Sequence, residues 1–262
     1  MGLSPDAAGL AFDPDGYRPT AAAVAGRTIL VTGASTGIGR AAALALGRAG
    51  ATVVLLARQS RPLERVYDEL RAADAPTPAI LALDFASAAY PDYERLAETL
   101  ASEFGHLDGL VVNAATLGAL APIALLDPVQ WGRVLHVNLN SAFMLVQNLL
   151  PLLDKSADPT VVFSVDGRVD RGRAYWGPYA AAKAGLTAFA RTLADESAAA
   201  GRPRVNCIDP GPHVTALRRA AFPGEAADRW PTPARAAPAY LYLCGADSAG
   251  VHGRTLALPA HS

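Results

Sequence analysis

Apolar residues fall along the chain in two alternating patterns. Short runs rich in Val, Ile and Leu, apolar on both faces, occur at Thr28–Thr32, Ala51–Ala57, Ala79–Asp84, Gly109–Asn113, Thr160–Ser164, Arg204–Ile208 and Thr255–Leu258. Longer amphipathic runs fill the gaps, at 37–49, 61–73, 91–104, 127–150, 177–200 and 232–244. A strand apolar on both faces belongs in a parallel sheet covered by helices on two sides. The alternation therefore predicts an α/β fold: a single Rossmann-type doubly wound domain of about seven parallel strands with helices on both faces.

Two stretches fall outside this pattern. Residues 1–25, rich in Ala, Pro, Asp and Gly, show no clean period and read as an N-terminal arm, flexible or wrapped on the surface, ahead of a domain over 26–262. The segment from about 211 to 231 fits no element, and a loop that long in a compact domain is commonly a lid.

Composition narrows the partners. With 23 basic and 24 acidic residues the charges nearly cancel, which implies no surface for nucleic acid. No apolar run approaches the roughly 18 residues that span a bilayer. The start, Met1-Gly2-Leu3-Ser4-Pro5-Asp6, has neither the basic and apolar segments of a signal peptide nor the Ser or Thr that myristoylation wants at position 6. A cytoplasmic protein is expected. Cys207 and Cys244 lack metal-ligand spacing and read as buried thiols, so no metal site is expected.

Candidate chemistry sits at two points. Thr28-Ile29-Leu30-Val31-Thr32 runs straight into Gly33-Ala34-Ser35-Thr36-Gly37-Ile38-Gly39, and a helical run follows. Strand, glycine turn and helix N-terminus are what a dinucleotide pyrophosphate needs: a tight turn, close backbone approach and N–H groups facing the anion. An acid about 20 residues further on would bond an adenosine ribose 2′-hydroxyl. Here the second strand ends in Ala57-Arg58, and a guanidinium can pair with a 2′-phosphate. NADP (NADPH) is therefore expected over NAD. At the end of the third strand Asp84 and Phe85 are placed to meet the adenine, although a plain turn aspartate would look the same.

The second point is Tyr179-Ala-Ala-Ala-Lys183. Four residues apart on a helix, phenol and ammonium share one face. An ammonium beside a phenol favours phenolate, turning a group whose ordinary pKa is about 10 into a usable proton donor or acceptor.

In these residues the chain resembles the short-chain dehydrogenase/reductase family, and the likeness runs from about Gly26 to Leu258. It rests on Thr-Gly-x-x-x-Gly-x-Gly, then Asn113-Ala114, then Tyr-x-x-x-Lys, then Pro210-Gly211-x-x-x-Thr215. Asn138-Leu139-Asn140-Ser141-Ala142-Phe143-Met144 and Trp176-Gly177-Pro178-Tyr179 are similar to a group of uncharacterised bacterial oxidoreductases in that family. The resemblance implies Tyr179 as general acid/base and Lys183 as the group that lowers its pKa and holds the nicotinamide ribose. It implies Asn138 as a helix kink that anchors a water. Asn113, Ala114, Pro210 and Gly211 would line the cofactor, and Thr215 would bond its carboxamide. Homodimers or homotetramers are implied too, through the helices at 127–150 and 177–200.

Two departures stand out. The family's Asn-Asn-Ala-Gly is Val112-Asn113-Ala114-Ala115, which costs backbone freedom. The serine that binds the substrate carbonyl, commonly thirteen residues before the tyrosine, is replaced by Asp166, while Ser164 would lie about 6 to 7 Å deeper on an extended strand. A protonated Asp166 would donate as a hydroxyl does; an ionised one would suit a cationic substrate; one pointing away would leave Ser164 or a weak enzyme. Arg168, Arg171 and Arg173 could pair with it or be solvated. His213 could face the substrate or lie on the loop surface, and Trp176 and Tyr175 would line the pocket or pack at the helix start.

The expected function is NADPH-dependent reduction of a small carbonyl or imine, with Tyr179 delivering the proton. A sensor or partner protein that binds NADP with weak or lost turnover is the rival of another class, separated from it by Asp166 against the intact Asn138, Tyr179 and Lys183. A lyase or epimerase using bound nicotinamide stays open.

Overall fold

A computed structural model describes residues 10–169, 172–226 and 228–259. In chain order the main elements are β1 (Leu10–Ala11), β2 (Thr28–Thr32), α1 (Gly37–Arg48), β3 (Thr52–Ala57), α2 (Ser60–Ala72), β4 (Ala79–Ala82), α3 (Tyr90–Phe104), β5 (Gly109–Val112), α4 (Pro128–Leu135), α5 (Ser141–Leu153), β6 (Thr160–Ser164), α6 (Gly177–Ala198), β7 (Arg204–Asp209), α7 (Ala216–Ala221), α8 (Ala237–Cys244) and β8 (Thr255–Ala257). All strands pair in parallel in one sheet of order β1-β8-β7-β6-β5-β2-β3-β4.

The two-faced apolar strands explain the layering. Along β2, Ile29 and Val31 pack into the layer with α1, α2 and α8, while Leu30 packs into the opposite layer with α3, α5 and α6. Successive strand side chains point to opposite faces, so a strand buried on both has no place for a polar partner. From β2 the chain winds outward to β3 and β4, then restarts at β5 on the other side. That reversal opens a crevice at the carboxyl ends of β2 and β5, where ligands bind in folds of this kind.

Three sequence expectations change. An eighth strand appears: β1 lies beside β8, and the Phe12 N–H donates to Ala257 O at 3.1 Å. Residues 1–9 of the arm lie outside the described residues. The run at 127–150 is not one helix but α4, a π-helical turn over His136–Asn140, and α5. An extra residue in the turn leaves the apolar pattern nearly continuous, so periodicity alone does not reveal the break. The lid-like stretch holds α7, which at six residues is too short to display a helical period. Its start is capped by Thr215, whose hydroxyl accepts from the Arg218 N–H at 3.1 Å.

Cys207 and Cys244 are buried and unpaired, and burial pushes each thiol up to about 12. Among the described residues no helix is long and apolar enough to cross a membrane.

Candidate functional site

The crevice between β2 and β5 is fastened by Thr32. Its hydroxyl accepts from the backbone N–H of Asn113 (2.8 Å) and Ala114 (3.0 Å) and donates to Val111 O (3.1 Å). Around it opens a cleft of about 900 Å³ that runs from Arg58 at one end to Trp176 at the other.

The glycines sit where a side chain has no room. A Cβ on Gly33, which adopts φ +66°, would come within 3.0 Å of Asn113 Nδ2 and 3.1 Å of Ala114 Cα. One on Gly39 would stand 2.4 Å from Gly33 O. Gly33 and Gly37 line the cleft, whereas Gly39 lies beneath it and lets the helix close on the turn. Thr36 makes no side-chain cap, so the first N–H groups of α1 have no side-chain acceptor and are open to an anion. Ser35, Thr36 and Ile38 line the same stretch. A dinucleotide fits this cradle, with its pyrophosphate at the start of α1.

At the end of the cleft beside β3 and β4, Arg58 is exposed and lines the wall. Asp84 Oδ1 accepts the Ala86 N–H at 3.0 Å, the mark of a turn-forming aspartate, and Phe85 is buried and stacked on Tyr93. Ala115 does not take a left-handed backbone, so the glycine usual in the family is not demanded there.

At the other end α6 carries Tyr179 and Lys183, both buried. The Lys183 ammonium donates to Ser164 O at 2.7 Å, and its Nζ is 5.9 Å from the centre of the Tyr179 ring. Burial lowers the lysine to about 8 against the pull of Asp166 and Asp209. Tyr179 donates to Asp166 Oδ2 at 3.5 Å, and Trp176 packs edge-on against its ring. The expectation that the lysine lowers the phenol meets an opposing force. Burial first, and the Asp166 carboxylate next, raise Tyr179 above its ordinary value.

Position 166, not 164, faces the phenol. Ser164 is buried and committed elsewhere: its hydroxyl shares a hydrogen bond with Tyr240 Oη (2.8 Å) and reaches Asn113 Oδ1 at 3.3 Å. Asp166 is raised by burial and then by Asp209, with the Arg168 N–H, Lys183 and the Arg168 charge opposing. The Arg168 guanidinium lies over Trp230 while its backbone N–H serves Asp166 Oδ1 at 3.2 Å. Arg173 lies between Trp176 and Phe222, and Arg171 is outside the described residues.

Asn138 sits in the π turn, off the cleft wall, and its amide both donates to Thr116 O and accepts the Thr116 N–H, each at 2.8 Å. Pro210, Gly211 and Thr215 line the cleft, and the Thr215 methyl would meet a Cβ on Gly37 at 3.4 Å. Of the two readings of His213, the surface one is corrected: the ring is buried on the cleft wall, its Nε2 without a partner among the described residues, and burial lowers its pKa. Tyr175 is corrected as well, being exposed and absent from the cleft wall, unlike Trp176.

Sequence reasoning passed over Asp209. This carboxylate accepts the Gly167 N–H (3.1 Å) and the Gly211 N–H (3.0 Å), tying the loop after β6 to the loop after β7. Its place immediately before Pro210-Gly211, at the carboxyl end of a central strand, was the available signal.

A doubly wound sheet, a dinucleotide cradle at its reversal point and a Tyr/Lys pair on the facing helix define a nicotinamide-type oxidoreductase architecture. The short chain dehydrogenase family model matches residues 27–226, and the chain belongs to the short-chain dehydrogenase/reductase family of oxidoreductases. It is 41% identical over 239 residues to the uncharacterised oxidoreductase YciK of Escherichia coli K12, covering 91% of this chain and 94% of that one. A short-chain dehydrogenase from Pseudomonas syringae superposes with a TM-score of 0.90 at 41% identity, covering 94% of this chain and 99% of the other. One from Escherichia coli CFT073, solved in complex with NADPH, gives 0.87 at 42% identity over 91% and 99%.

Proposed function

We propose that the protein reduces a small carbonyl or imine compound with NADPH. The observation that carries this reading is the single cleft that joins the glycine cradle, Arg58 and the buried Tyr179–Lys183 pair. NADPH in the similar Escherichia coli CFT073 structure supports the cofactor. The cradle would hold the pyrophosphate, Arg58 the 2′-phosphate, and Asn113, Ala114, Pro210, Gly211 and Thr215 the nicotinamide end. Bound NADPH would supply the hydride. Tyr179 would give its proton to the substrate oxygen or nitrogen, and Lys183 would stabilise the phenolate left behind. Trp176 and the segment around α7 would keep water from the reacting atoms.

A second reading is favoured by one observation: the carboxyl of Asp166 beside Tyr179 opposes formation of the phenolate. The protein would then bind NADPH with little turnover and act as a sensor or partner. We take the reductase as primary because the chemical residues Tyr179 and Lys183 are kept together. The same reading makes the protein a cytoplasmic homo-oligomer; the exposed Ile123, Leu125 and Val129 near the start of α4 suit contact with a second copy.

Screening NADPH oxidation over carbonyl and imine libraries, with Tyr179→Phe as control, separates the two. Turnover that vanishes in Tyr179→Phe while NADPH still binds supports the reductase; turnover unchanged in that variant removes Tyr179 from the chemistry. NADPH should bind more tightly than NADH by about 1.5–3 kcal/mol, the range of a hydrogen bond to a charged group. Equal affinity would end the assignment of Arg58.

A further inference from the structure

We propose that Asp209 is a positioning residue: braced on Gly167 and Gly211, its carboxylate keeps Asp166 in the protonated form that donates a hydrogen bond to the substrate oxygen beside Tyr179. The inference rests on the reductase reading and adds a specificity device to it.

The geometry begins with who supplies donors to each carboxyl. Asp209 receives two backbone N–H groups, one on each oxygen, from Gly167 at 3.1 Å and Gly211 at 3.0 Å. An ionised carboxylate is an acceptor only, and two fixed donors suit it. Asp166 receives one backbone N–H, from Arg168 at 3.2 Å, and the Tyr179 hydroxyl at a long 3.5 Å. Gly167 is the neighbour of Asp166, so the Asp209 charge is held next to it by a fixed contact rather than by a flexible side chain. Of two carboxyls that repel each other, the proton goes to the one with fewer backbone N–H donors. That is Asp166.

The other charges around Asp166 are weaker opponents. From α6, Lys183 has its ammonium bound to Ser164 O and is itself lowered by burial. From the same loop, Arg168 turns its guanidinium onto Trp230. Burial together with Asp209 raises Asp166 in spite of both. The consequence is chemical. A neutral Asp166 offers an O–H where the family has a serine hydroxyl; an ionised one would hold the Tyr179 proton back. Activity should then fall as pH rises through the Asp166 titration. Substrates that tolerate a neutral acid at the carbonyl would be favoured.

The test follows Asp166 directly, by carbon-13 NMR of its carboxyl across pH, in the full-length protein and in Asp209→Asn. The expected result is an Asp166 titration above the ordinary aspartate range in the wild type that moves to lower pH in Asp209→Asn. In parallel, Asp209→Asn should lose turnover several-fold in the pH window between its own Asp166 titration and the wild-type one, where only the wild-type acid is still protonated, and that effect should shrink when Asp166 is also changed to Ser. Lys183, which Asp209 also supports, accounts for what remains. A wild-type Asp166 that titrates in the ordinary range overturns the proposal, as does an unmoved titration in a folded Asp209→Asn. Equal loss of turnover in both backgrounds also overturns it, since that marks a merely structural brace. If Asp209→Asn does not fold, Asp209→Ser, which keeps one acceptor, supplies the same comparison with the same deciding outcomes. The NMR arm needs no turnover, so a failure of the reductase reading, seen as unchanged rates in Tyr179→Phe, remains distinguishable.

Discussion

Ser164 and Asp166 stand two residues apart at the end of one strand, and the fold uses them for different work. Ser164 lends its carbonyl to Lys183 and its hydroxyl to Tyr240, which fixes the lysine from below. Asp166 meets the phenol. Replacing it by Ser should therefore raise activity on neutral ketones and flatten the alkaline fall in rate, because a hydroxyl donates at any pH. Asp166→Asn should act in the same direction but more weakly. Rates across pH for the three proteins check this. If the substrate is an amine or iminium, both variants should instead lose activity, since they remove its countercharge. Much of this was legible from the chain. Tyr179 and Lys183 are four apart on one helix, and the glycine turn is continuous, so local geometry is enough to pair them. Asp209 and Tyr240 were not legible. They reach residues 167 and 164 only because β7 and α8 pack beside β6, and that neighbourhood is set by tertiary order.

Elements deliver these residues through their ends and their irregularities. The carboxyl ends of β2, β5, β6 and β7 supply Gly33, Asn113, Asp166 and Asp209, and the register of β6 on β7 sets Ser164 opposite Ile208. Strand positions could be read from apolar runs to within a residue or two, because burial on both faces leaves little else. Irregular turns could not. The π turn at His136–Asn140 exists because the Asn138 amide reaches across to the backbone of Thr116, satisfying its N–H and C=O in one contact. Asn138→Ala should leave those groups without a partner and cost about 1–3 kcal/mol. In a chain of this size that lowers the melting temperature by roughly 2–4 °C per kcal/mol, as thermal unfolding would show. Asn138→Asp, which keeps the acceptor and loses the donor, should lie between. A variant as stable as the wild type would mean that the bulge is held by helix packing alone. The segment after β7 has its own staple: Arg218 grips Glu225 with two bonds of 2.7 Å and holds its carboxyl down at about 2. Its aromatic partners Phe222 and Trp230 close on Arg168 and Arg173 of the loop before α6.

At the scale of the molecule, the part of the chain with no apolar period finds its place by polar and aromatic contacts instead. Residues 10–25 lay β1 along β8 and stack Phe12 and Tyr17 on Tyr242 of α8, with ring centres 5.3 to 5.6 Å apart. A two-residue strand and three rings leave no signal that periodicity can detect. The fastening point is Asp247, which accepts from the Tyr17 hydroxyl (2.7 Å), the Thr20 hydroxyl (2.6 Å) and the Thr20 N–H (3.0 Å). Those donors, the Thr20 hydroxyl foremost, hold its pKa below the usual aspartate value. A depressed carboxylate stabilises the fold above its unfolded pKa, and that contribution is lost as pH falls through the folded value. The arm should thus loosen in acid before the catalytic domain does. Asp247→Ala should remove the fastening at neutral pH, at a cost of about 1–2 kcal/mol once solvent screening is allowed for. Chymotrypsin then gives the readout, since Phe12 and Tyr17 are its sites within the arm. Cleavage there should speed up in Asp247→Ala at neutral pH and in the wild type as pH is lowered. In the variant it should depend little on pH after correction for the protease's own profile. Equal cleavage rates in the two proteins at neutral pH would mean that β1 and the aromatic stack hold the arm without Asp247.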